Sequence, residues 1–309
     1  MTQPPSQAAD AARASAVAVL ALVFNAFVWG VSWWPLRHLQ AAGLHPLWAT
    51  ALIYAVAATV IVARWPHAPA LLWKTPVLWV LMLAAGTTNA AFNWAVTIGD
   101  VVRVVLLFYL MPLWTVLLAR LLLHERLTRW ALLRMVMALA GAAIVLAPAG
   151  GGWPWPSGLA DALGVLGGLS FALNNVMLKR EAARPAEARA LAMFLGGLLV
   201  AGGLALALAA TGSVPLPPPP RRDWLLPAGL LAIAFLAANM ALQHGASHLR
   251  ANVTAVVMLT EVVFASVSAV LLGDELLTPQ MLAGGALIVA AAALSAWEPS
   301  PRRHERAAR

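Results

Sequence analysis

Glu261 is an acid near the middle of an apolar run that spans residues 251–272. An ionised side chain at mid-bilayer depth costs on the order of 2.5–3.5 kcal/mol on insertion scales, so it faces a cavity or holds a partner. Two chemistries suit such a residue. An acid that ionises when a cavity opens to water can bind and release a proton, and one that stays ionised can anchor a substrate ammonium. The structural alternative is a protonated Glu donating one hydrogen bond between helices.

A set of amides accompanies it: Asn25, Asn89, Asn93, Asn174, Asn175, Asn239 and Gln243. Asn89 and Asn93 are four apart, and Asn239 and Gln243 repeat that spacing, so each pair shares one helix face. Two helices carrying such pairs can line a polar cavity that binds a zwitterion or a sugar; interhelical bonding, worth roughly 0.6 kcal/mol each, is the alternative. Trp29 lies one turn from Asn25 on the same face, whereas the other deep tryptophans, Trp94 and Trp114, read as packing residues. Tyr109 sits mid-run, and its hydroxyl needs a partner in lipid. His244, near the end of its run, could relay protons or simply mark the membrane interface. The candidate substrate site is therefore Asn25, Trp29, Asn89, Asn93, Tyr109, Asn175, Asn239, Gln243 and Glu261. Glu261 and His244 are the candidate proton-coupling groups.

Other chemistries lack their residues. The sequence has no Gly-rich phosphate loop, no G-x-S-x-G and no H-E-x-x-H. Its acids and histidines lack metal-ligand spacing, and the absence of cysteine removes disulfides, thiolate zinc sites and thiol catalysis. Neither a cofactor, a metal nor an enzymatic activity is expected.

The elements that must position these side chains are apolar runs. The chain has 309 residues, 62% apolar and 10% charged, with a mean hydropathy of +0.81, far from the roughly 25% charged content of soluble domains. About 20 apolar residues at 1.5 Å each cross a 30 Å bilayer core. Ten runs meet that need: 16–36, 44–63, 76–98, 102–122, 130–148, 158–179, 190–211, 224–245, 251–272 and 279–297. The net charge of +8 would suit nucleic acid on a soluble domain, but here it serves orientation, and no nucleic-acid partner is expected.

The runs fall into two halves. A shift of 150 positions lays Glu125 on Glu275, Leu127 on Leu277, Thr128 on Thr278, Asn89 on Asn239, Asn93 on Gln243, Asn25 on Asn175 and Pro35 on Pro185. One offset linking polar residues in separate segments marks an internal repeat. The expected organisation is a cytoplasmic tail over 1–14, five-helix repeats over 15–148 and 158–297, and a basic cytoplasmic tail over 298–309. With the N-terminus inside, the lysines and arginines divide sixteen to four in favour of the cytoplasmic side. Five spans per half then makes the repeats inverted, as in many secondary transporters. The first span reads as a retained helix rather than a signal peptide. Trp33, Trp34, Trp65, Trp73, Trp130, Trp153, Trp155, Trp224 and Trp297 fall at span ends, where an aromatic belt belongs. Arg103 reads as snorkelling to the headgroups, with substrate binding the alternative, and the 179–189 basic run as an inner-face anchor. Glu125 and Glu275 read as turn residues, each followed by a threonine that can cap the next helix.

Ten spans in two inverted halves, the Trp29-Gly30 pair, and the segments PLWTVLLARLLLHERLT (112–128) and LTEVVFASVSAVLLGDELLT (259–278) together resemble the bacterial drug/metabolite transporter superfamily, EamA type. The resemblance covers nearly the whole chain between the tails. It implies an all-α integral membrane protein of the inner membrane, both termini cytoplasmic, that exports small metabolites, amino acids foremost, by alternating access with possible proton coupling. Efflux of amphipathic drugs is the alternative within transport; an intramembrane enzyme or a receptor is the alternative outside it. Members often carry proline at the centre of both closing hairpins. Pro112 is present here, but Val262 stands at the matching place, which leaves a kink in the ninth span without its usual cause.

Overall fold

The computed structural model describes residues 5–122, 128–147, 155–248 and 257–297. These form thirteen helices and, among the described residues, no strand. Seven stretches are long and apolar enough to cross a membrane, and two shorter apolar helices lie in the last segment.

The first half contains α1 (Pro5–Val31), α2 (Trp33–Ala41), α3 (Pro46–Arg64), α4 (Ala68–Trp73), α5 (Val77–Ile98), α6 (Val101–Phe108), α7 (Met111–Leu122) and α8 (Arg129–Leu146). The second contains α9 (Leu159–Arg180), α10 (Ala186–Ala210), α11 (Arg222–His248), α12 (Thr260–Gly273) and α13 (Pro279–Trp297). The 22-residue α5 is not among the seven long apolar stretches. Thr87, Thr88, Asn89 and Asn93 dilute its hydropathy.

Three of the expected spans are interrupted. The first breaks at Ser32, whose hydroxyl bonds the Trp29 carbonyl at 2.8 Å; Pro35, lacking an amide hydrogen, cannot continue the ladder back to Val31. The fourth breaks at Tyr109-Leu110, because Pro112 supplies no N–H for the Phe108 carbonyl. The ninth breaks at Leu259, 150 positions after Tyr109, although Val262 stands where a proline would cause it. There the Val262 N–H turns to the Leu259 carbonyl at 3.1 Å, and the Thr260 hydroxyl donates to Val257 O at 2.7 Å. A tightened turn and a back-bonding hydroxyl do the work of the missing proline.

The halves interlock rather than lie side by side. α5 packs against α9 and α10, α10 against α3, α1 against α11 and α12, and α8 against α13. The last pair is antiparallel. Gln280, at the start of α13, donates to the carbonyls of Ile144 and Ala147, at the end of α8, at 2.6 Å each. Close crossings rest on glycine where no Cβ fits. Gly196 of α10 lies directly on the Met82 carbonyl and on Gly86 of α5. A Cβ on Gly30 would stand 2.8 Å from the Glu261 carbonyl oxygen, so the Trp29-Gly30 pair brings α1 against α12 beside the acid. Thr128 caps α8 through Ala131 N–H at 3.0 Å, and Thr278 caps α13 through Met281 N–H at 3.1 Å.

The tryptophan belt needs two corrections. Trp33 and Trp224 are buried; Trp33 donates its indole N–H to Ser268 Oγ at 2.9 Å, and Trp224 to Pro219 O at 3.1 Å. Trp34, Trp65, Trp73, Trp130 and Trp155 are exposed. Trp153 and the side chain of Trp297 lie outside the described residues.

Candidate functional site

The break in α6–α7 and the break before α12 meet at one point. Tyr109 donates its hydroxyl to Glu261 Oε2 at 3.0 Å, with Met258 O at 3.2 Å. Glu261 is 7% exposed and stands in the first turn of α12. Around this pair lies a cavity of about 330 Å³, at the small end of ligand sites.

Its wall draws on both halves of the chain. Asn25 and Trp29 of α1, Tyr54 of α3, Asn89 and Phe92 of α5, and Phe108 and Tyr109 come from the first. Phe171, Asn174 and Asn175 of α9, Phe194 of α10, Asn239 of α11 and Glu261 come from the second. Trp29 is stacked on Phe235 with ring centres 4.4 Å apart, and Phe108 contacts the rings of Phe92, Tyr109 and Phe171 at 4.9, 6.1 and 5.3 Å. The wall is therefore an aromatic box with a few polar atoms set into it.

Those polar atoms are held by local bonds. Asn25 donates Nδ2–H to Ala238 O at 2.8 Å, which fixes its amide orientation and leaves Oδ1 without a partner. Asn174 Oδ1 is likewise buried and unpartnered. Asn89 accepts from the Tyr54 hydroxyl and donates to Ala85 O at 2.7 Å. Thr88 donates to Ala84 O at 2.8 Å.

Of the sequence candidates, Asn25, Trp29, Asn89, Tyr109, Asn175, Asn239 and Glu261 share this cavity. Asn93 does not: it is fully buried and donates to Thr50 Oγ1 at 3.0 Å, tying α5 to α3. The i, i+4 spacing gives a common face, but here α3 covers its outer end. His244 is exposed near the end of α11, its ring tilted against that of His248 with centres 4.3 Å apart, and is not on the cavity wall. The side chain of Gln243 lies outside the described residues. Sequence reasoning passed over Tyr54 and the phenylalanines. Tyr54 had a signal of its own, being the other of only two tyrosines in the chain.

At one end of the bundle two ion pairs cross between the halves, and both correct the reading of interfacial charges. Arg103 does not snorkel. Its Nε and Nη2 each meet Asp161 at 2.8 Å, and Nη1 donates to Val145 O at 2.7 Å. Asp161 also accepts from the Ser157 N–H and hydroxyl at 3.0 and 3.1 Å. Arg37 meets Glu275 Oε1 at 3.0 Å and donates to Val96 O and Gly99 O. Glu275 accepts from the Val101 N–H, so it sits at a helix N-terminus as expected, but that of α6 rather than α13. Each pair joins the first half to the second. Glu125, the repeat partner of Glu275, lies outside the described residues. No group of acids and histidines among the described residues could hold a metal ion.

The profile of the EamA-like transporter family matches twice, over residues 16–147 and 158–297. The chain belongs to this family. It is thus a member of a group of membrane transporters of small molecules and not, at the family level, an enzyme. No curated protein matches the chain. One solved crystal structure shares 21% identity with it over 90% of this chain and 96% of its own, with a TM-score of 0.55, a likeness of fold. The family membership gives the paired breaks and the two-sided cavity a context: a small-molecule path between two related halves.

Proposed function

We propose that the protein is an inner-membrane secondary transporter that exports small amine-bearing metabolites, amino acids first among them, by alternating access between two inverted five-helix repeats. The repeats are 15–148 and 158–297, each of five spans, with both tails cytoplasmic. The observation that carries the reading is the cavity itself: walled by residues of both halves and centred on a buried acid at two broken helices. Inversion is supported by the antiparallel contact of α8 and α13, which occupy matching places in the two repeats. The sixteen-to-four division of basic residues supports the orientation.

Coupling follows from Glu261. A carboxylate that a proton and a substrate ammonium both need can hold only one of them, so release of the amine outside and uptake of a proton there drive the cycle in one direction. The aromatic wall favours amphipathic drugs as a second substrate group. Proteoliposomes loaded with candidate metabolites test the reading. Saturable counterflow that responds to an imposed pH gradient is expected. Enzymatic turnover of those compounds, or no flux of any of them, would sink it.

A further inference from the structure

The charge of the cavity wall is lopsided, with an acid and, among the described residues, no base. Thr88, Tyr54 and Tyr109 each spend their single hydroxyl donor inside the wall, on Ala84 O, Asn89 and Glu261, and Asn25 and Asn89 each spend one of two amide N–H donors there, on Ala238 O and Ala85 O. Several acceptors of the wall stay unmet. Asn25 Oδ1 and Asn174 Oδ1 have no partner, on side chains 1% and 2% exposed. Glu261 takes Tyr109 on Oε2, and no bond to its Oε1 is formed among the described residues. A buried acceptor without a donor costs about 1–3 kcal/mol, and a native wall retains such atoms where something else satisfies them. Among the described residues no lysine, arginine or histidine lines the cavity, so a carboxylate or phosphate would meet no counter-charge there.

From this we infer that the site recognises an organic ammonium through Glu261, Asn25 and Asn174, seats its apolar or aromatic body against Trp29, Phe108 and Phe171, and does not read a carboxylate. A primary ammonium carries three N–H donors and no acceptor, which complements three acceptors. The aromatic faces attract the same charge. The inference rests on the transport reading for its physiological meaning, but it concerns binding. An amino acid is accepted by its amine end, and the decarboxylated amine should bind at least as well, since it leaves no unpaired carboxylate behind.

The experiment uses purified full-length protein in detergent and three probes with one phenyl body: 2-phenylethylamine, L-phenylalanine and 3-phenylpropionate. Titration calorimetry is expected to give saturable binding of the amine, equal or weaker binding of the amino acid, and none of the acid. Glu261→Gln should weaken amine binding by at least about tenfold, since a charged hydrogen bond becomes a neutral one. Asn174→Leu should weaken it severalfold and reads the same site if the first variant does not fold. Binding of 3-phenylpropionate as tight as that of the amine, no saturable amine binding, or amine affinity unchanged in folded Glu261→Gln would each overturn the inference. Counterflow in proteoliposomes separates the two readings. Amine that binds but never crosses would sink the transport reading alone, and flux of the acid but not the amine would sink the ammonium site alone.

Discussion

Replacing Asp161 by Asn should loosen the end of the bundle that the ion pairs hold, without touching the cavity. Asp161 is 7% exposed at its side chain and accepts both Arg103 nitrogens at 2.8 Å as well as two bonds from Ser157. An amide keeps the shape but turns one acceptor into a donor facing the guanidinium. Breaking a buried pair from one side costs about 3–5 kcal/mol. Arg103 keeps its bond to Val145 O and is 22% exposed, so the lower value, about 3 kcal/mol, applies. If the pair exists only while this end is shut, that energy shifts the closed–open balance by about 10²-fold, at 1.4 kcal/mol per factor of ten. The chain has no cysteine, so Val104→Cys, 1% exposed beside the pair, is a clean reporter. Modification by an impermeant thiol reagent should run about a hundredfold faster with Asp161→Asn than without it. A second reporter at Ala205, fully buried between α3 and α10, should not change. Equal rates at Val104 with and without the substitution, or acceleration at both reporters alike, would refute the idea that this pair is a lock.

Further outcomes follow from the same contacts. Cysteines at Ser213 and Ala183, both exposed, should label differently in intact cells: the first readily, the second only after permeabilisation, and the reverse pattern would overturn the orientation. Asn89→Leu removes the bonds to Tyr54 and Ala85 and should lower flux severalfold while the protein still inserts; undiminished flux would make Asn89 purely structural. Gly196→Leu drives a side chain into the Met82 carbonyl and Gly86, an overpacking cost of about 1–3 kcal/mol or more. Its melting temperature should fall in detergent, while Gly203→Leu, which meets nothing within 4 Å, should melt like the parent protein.

Seven apolar stretches of spanning length could be read in the sequence because a bilayer imposes a length and polarity on its helices. The site was legible where a polar atom had no other reason to be deep: Glu261, Tyr109 and Asn89 were visible on that ground alone. Asn93 satisfied the same criterion and lies elsewhere, since i, i+4 spacing cannot say which neighbour covers which end of a face. Arg103 and Asp161 were hidden for the opposite reason. They are 58 positions apart, and each has an ordinary interfacial explanation until the packing of α6 on α9 brings them together. Even so, the charge bias held a trace of them. The expected orientation leaves Arg37, Arg103, Arg221 and Arg222 on the outer side, and of these Arg37 and Arg103 form the ion pairs.

The broken helices explain how one acid can stand so deep without a basic partner on the cavity wall. A continuous ninth span would place Glu261 in mid-helix, away from either end of the dipole. The turn at Leu259 instead makes α12 begin at Thr260, which sets Glu261 in its first turn, at the positive end of the helix dipole. The matching break at Tyr109-Leu110 brings the tyrosine hydroxyl to the same carboxylate. Two interruptions 150 positions apart thus supply, from opposite halves, the dipole and the donor that offset part of the cost of the acid. On the alternating-access reading, motion of one half against the other would act on the Tyr109–Glu261 bond, because its two ends belong to different halves. On the transport reading proposed above, a substrate ammonium at Glu261 would compete for the carboxylate that Tyr109 holds across the two halves, which would tie occupancy of the site to their relative position.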